Sequence, residues 1–155
     1  MTILEVQEIL DEMAEIPGFE PGMAAEASLE RIRAAYNGCG PERWPQGVRD
    51  KIDEETVLFA PAVLVHDLDF DESDGTEEHL HEANERLHRN TKCIVRHRYP
   101  LWTTRMLRPS YRLRRAKAVG IMLVINAATS DALTRKAWLE AYAKRRGSID
   151  QTACV

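Results

Sequence analysis

Apolar residues at helical intervals, interrupted at a few points by proline and glycine, constrain this chain most. Ile3, Leu4, Val6, Ile9, Leu10 and Met13 share one face of a helix that Thr2 can cap and that runs to about Glu15. The stretch Ile16-Pro17-Gly18-Phe19-Glu20-Pro21-Gly22 breaks it. The same spacing predicts a second helix over 23–35. Val57, Leu58, Ala60, Val63, Leu64 and Leu68 then wrap most of a helical circumference, as a buried helix requires. That helix starts near Asp53, or at Ala60 with Pro61 in its first turn, and runs to about Phe70. Asp71 to Gly75 reads as a loop, and Thr76 caps a helix reaching about Asn90, with Leu80, Ala83, Asn84 and Leu87 on one face. Two more helices are expected over about 110–127 and 130–146. The predicted fold class is all-α, a helical domain built on two central antiparallel helices.

At 155 residues the chain suits one domain with a real core, 1–155. Cys39, Cys93 and Cys154 are too few for a dense disulfide framework. The first fifteen residues are acidic and amphipathic, unlike a secretory signal. Cytoplasmic synthesis is the expectation, with later carriage in a particle left open. Ala118–Ile125 is apolar but far short of the ~20 residues that span a bilayer, so it is expected to be a core helix, and no transmembrane segment is expected. Net charge is −4, yet residues 1–80 hold 5 Lys/Arg against 20 Asp/Glu, and residues 81–155 hold 16 against 5. Either the halves neutralise each other in the fold, or the basic half meets an anionic partner.

Two motifs carry candidate chemistry. In Tyr36-Asn37-Gly38-Cys39-Gly40, glycine freedom lets backbone carbonyls curl toward one point. Further on, His66-Asp67 places a carboxylate beside a ring nitrogen. In this order the motifs resemble the phospholipase A2 superfamily, most closely its loop-poor viral-capsid and prophage-encoded versions. The resemblance covers about residues 30–92, leaving 97–155 as a basic helical extension. It implies a calcium loop in which the carbonyls of Tyr36, Gly38 and Gly40 and the carboxylate of Asp67 hold Ca2+. It also implies that His66 is the general base for hydrolysis of the sn-2 ester of a glycerophospholipid. Two positions depart from the family pattern. Phe70 stands where the helix motif has Tyr, and Asn84 stands where a second helix supplies the Asp that orients the catalytic His. The alternative implied by those departures is a non-catalytic phage or prophage structural or assembly protein that keeps the fold.

Other readings compete for the same residues. Asp67, Asp69, Asp71, Ser73 and Glu78 approximate an EF-hand loop, although Glu72 occupies the position that needs glycine. His79, His81, His88, His97 and Cys93 read as surface residues more readily than as a transition-metal site. Trp44, Trp102 and Trp138 either fill core volume or form an interfacial rim. Arg105, Arg108, Arg112, Arg114, Arg115 and Lys117 form the densest basic cluster. Its candidate partners are a phospholipid membrane surface or phage structural proteins. Nucleic acid is the weaker partner, since no aromatic-interleaved platform or zinc module accompanies the arginines.

Overall fold

The computed structural model describes residues 1–36, Gly47, Ile52 and 54–152. It is mostly helical, with no strand among the described residues. Helix α1 spans Ile3–Glu15 and opens on a capping box: Thr2 Oγ1 accepts from Glu5 N–H at 3.2 Å, and the Glu5 carboxylate accepts from Thr2 N–H at 2.6 Å. A 3-10 turn, Gly22–Ala25, leads to α2, Leu29–Ala35, capped by Ser28. After a second 3-10 turn, Val57–Phe59, come α3 (Ala60–Asp71) and α4 (Glu77–Arg98). A third 3-10 turn, Thr104–Leu107, precedes α5 (Pro109–Ala128) and α6 (Asp131–Thr152).

Helix α3 is the hub because it is apolar nearly all round. Leu64, Val65 and Leu68 pack with Val6 and Met13 of α1 and Ile32 and Ala35 of α2. Ala62 and Val63, with Phe59 just before the helix, pack with Leu87, Ile94 and Val95 of α4 and Ala118 and Ile125 of α5. Burying each side chain of this kind contributes roughly 1.5–3 kcal/mol, so α3 is held on two sides at once. Helix α4 folds back along α3 after the short connection Glu72–Thr76. Trp138 of α6 closes a third cluster with Leu80, Ala83 and the half-buried Phe70.

Several boundaries differ from the sequence reading, each for a local reason. The helix expected over 23–35 is broken, because Ser28 Oγ caps the N–H of Arg31 and starts a new helix there. Helix α3 begins at Ala60 with Pro61 in its first turn, the second of the two starts considered. Helix α4 runs past Asn90 to Arg98 because Asn90 satisfies its amide tertiarily. Its Oδ1 accepts from Glu20 N–H and its Nδ2 donates to Glu20 C=O, both at 2.8 Å. Helix α6 runs beyond the expected 146, to Thr152. Helix α5 is a core helix on one face only, since Ala118 and Ile125 are buried while Leu123 and Val124 are exposed. The EF-hand reading fails: Asp67, Asp69 and Asp71 lie on α3, and buried Asp69 accepts from Arg86 at 2.6 and 2.7 Å.

Candidate functional site

Helix α3 carries His66 and α4 carries Asn84 into one polar contact between apolar clusters. His66 Nε2 lies 3.0 Å from Asn84 Oδ1. The direction of that bond follows from its neighbours on α6. Thr134 has one hydroxyl proton, which it donates to the Ser130 carbonyl one turn back, at 3.1 Å. Its oxygen therefore accepts from Asn84 Nδ2, at 3.0 Å. The amide oxygen of Asn84 then faces His66 and can only accept, so Nε2 carries the ring proton. The tautomer leaves a lone pair on Nδ1, to which no group bonds among the described residues.

The ring environment is otherwise apolar. Phe70 packs on the imidazole with ring centroids 4.6 Å apart, and Trp138 meets Phe70 edge-on at 4.9 Å. Burial pushes the His66 pKa down to about 4; the Asn84 hydrogen bond opposes this shift, and the charge of nearby His88 adds to it. His66 is thus a neutral imidazole at pH 7. Its sequence neighbour Asp67 is half-buried on α3. One turn from His66, burial also pushes the Asp69 carboxyl up, against the pull of the Arg86 guanidinium. That ion pair belongs to the packing of α3 on α4.

Tyr36 closes α2 in extended backbone, φ −68°, ψ 115°, and is half-buried between two core clusters. Gly38 and Gly40 lie outside the described residues, as do Cys39 and Trp44. The donor set named from sequence, one carboxylate and three carbonyls, is all hard oxygen and suits calcium. Among the described residues no group of three or more His, Cys, Asp or Glu forms a metal cluster, which a carbonyl-rich site does not require.

The basic cluster divides in two. Lys117 pairs with Glu55, and Arg115 Nε donates to the Tyr99 carbonyl, whereas Arg105, Arg108, Arg112 and Arg114 are exposed. The halves of the chain do neutralise each other in part, through Asp69–Arg86, Glu20–Arg89, Glu12–Arg98 and Glu77–Arg135. Trp138 fills core, but Trp102 is 97% exposed. Sequence reasoning missed Thr134 as the group that orients Asn84. Its signal was position: it lies one turn from Trp138, on the face that enters the core.

No family model matches this chain, and no curated protein or solved structure matches it.

Proposed function

We propose that this chain is a calcium-dependent, phospholipase A2-like esterase that hydrolyses the sn-2 ester of glycerophospholipids. In this reading α3 and α4 are the two antiparallel helices of the catalytic core. The observation that carries it is the His66–Asn84 hydrogen bond, which protonates Nε2 and leaves Nδ1 as a base beside Asp67. Nδ1 takes a proton from water as that water's oxygen bonds to the ester carbonyl carbon, and the imidazolium returns it to the departing alkoxide. Asn84 holds the ring throughout, with the neutral amide offering less to the imidazolium than a carboxylate would. The Asp67 carboxylate and the carbonyls of Tyr36, Gly38 and Gly40 would hold calcium, which when bound would supply positive charge for the developing oxyanion.

A second reading is a phage or prophage structural or assembly protein that keeps the architecture without turnover. A ring pKa of about 4 favours it, because a general base works best near the operating pH. So does Phe70, whose hydroxyl-free ring fills the space between His66 and Trp138. The deciding experiment is release of the sn-2 acyl chain from anionic mixed vesicles, with calcium and with chelator, for the wild type and His66→Ala. Chelator-sensitive release lost in His66→Ala is expected of the esterase. A folded protein with no release above the His66→Ala level would overturn that reading in favour of the second.

A further inference from the structure

From Arg86 to Ser130 the chain has eleven Lys and Arg and no Asp or Glu. Most arginines of α4 find carboxylates elsewhere in the fold, but the side chains of Arg105, Arg108, Arg112 and Arg114 make no ion pair or hydrogen bond among the described residues. They sit around exposed apolar groups. Trp102 is 97%, Leu107 84% and Leu113 73% exposed. Along α5, Leu113, Ala116, Gly120, Leu123, Val124 and Ala127 are all exposed and recur at intervals of three and four, a single stripe opposite the buried Ala118 and Ile125. Arg112 and Arg114 flank that stripe on either side at its N-terminal end.

We propose that this face docks on an anionic lipid bilayer, with α5 lying in the plane of the headgroups. The chemistry selects the partner. Unpaired guanidinium groups suit lipid phosphates, while aliphatic side chains and an indole suit the boundary between headgroups and acyl chains. A nucleic acid would use the arginines and leave the leucines in water. A second copy of the chain would cover the leucines but bring like charges together. No single helix is long and apolar enough to cross a membrane, although α5 with residues 132–144 of α6 passes that test as a bent pair; in this proposal α5 rests on the surface. None of these residues contacts His66 or Asn84, and the proposal stands or falls independently of the esterase reading.

The test is co-sedimentation of the whole chain with vesicles of phosphatidylglycerol and phosphatidylcholine in equal parts, compared with phosphatidylcholine alone. Binding to the anionic vesicles only is expected, weakening as salt is raised. Each arginine near an anionic surface is worth about fivefold in affinity, so the joint change of Arg105, Arg108, Arg112 and Arg114 to Gln abolishes sedimentation, while the joint change to Lys retains it. Leu113→Ser with Leu123→Ser weakens binding at low salt, and Trp102→Phe removes the blue shift of tryptophan emission. All these positions are exposed, and circular dichroism checks that the fold persists. His66→Ala binds as the wild type does. Equal binding to both vesicle types, no binding, tighter binding to a short DNA duplex, or a dimer that buries the leucines would each overturn the proposal.

Discussion

At the scale of single residues, the hydroxyl of Thr134 decides which nitrogen of His66 holds a proton, although the two side chains do not touch. Its only proton goes to Ser130, so the Asn84 amide must turn its oxygen toward the ring. Thr134→Val removes that instruction and the Thr134 oxygen as an acceptor for Nδ2, at a cost of about 1–2 kcal/mol. Nitrogen-15 NMR of the imidazole is expected to report Nε2–H in the wild type and in Thr134→Ser, and a tautomer mixture in Thr134→Val. The low pKa of His66 has a thermodynamic counterpart. Between pH 6.5 and about 4 the unfolded chain binds a proton that the folded ring refuses, so acidification favours unfolding across that window. The loss is at most about 3 kcal/mol. Buried Asp69 acts in the opposite sense, since its raised pKa lets the folded state take up a proton first. Urea denaturation of the wild type against His66→Gln isolates the histidine: the variant is expected to lose less stability between pH 7 and pH 5.

At the scale of elements, the connection between α3 and α4 matters more than its length suggests. Gly75 sits there at φ +80°, a conformation that costs residues with a Cβ about 1–2 kcal/mol. A Cβ there would also lie 2.8–2.9 Å from three ring carbons of Tyr142 on α6, so the connection and the last helix are packed without slack. Gly75→Ala is expected to destabilise by about 2 kcal/mol. In a Tyr142→Ala background the loss shrinks to the backbone strain alone, and a double-mutant cycle by urea denaturation measures the difference. The Asp69–Arg86 pair bridges the helices on either side of this connection and is fully buried on the carboxylate side. Breaking such a pair by removing one partner leaves an uncompensated charge, so it holds α4 to α3 in one register.

At the scale of the whole molecule, the acidic half and the basic half are joined by ion pairs that, among the described residues, leave one arginine-rich face over. If Asp67 and the glycine loop hold calcium, the ion binds the folded state alone and raises its stability by mass action. Calcium at about a hundredfold its Kd is expected to add about 2.7 kcal/mol, read as a rise in Tm that Asp67→Asn abolishes. No rise in the wild type would remove the metal from the proposed mechanism. The all-α class, the caps at Thr2 and Thr76 and the amphipathic face of α4 were legible in the sequence, because helix periodicity and capping act within a few residues of chain. The pairing of His66 with Asn84 was implied by the resemblance, and a polar residue on the face of Leu80, Ala83 and Leu87 calls for a buried partner. The break at Ser28 and the run of α4 through Asn90 were not, because local hydrogen-bonding groups there serve competing ends. Nor was the role of Thr134, fifty residues from Asn84. Helical spacing placed Ala118 and Leu123 in one apolar run, but only packing against α4 buried the first and left the second in water. Local chemistry thus determined the elements, while His66 was singled out by the resemblance. Which ring nitrogen is free, and which arginine side chains meet no carboxylate among the described residues, depends on contacts between segments far apart in the chain, and only the tertiary structure decided them.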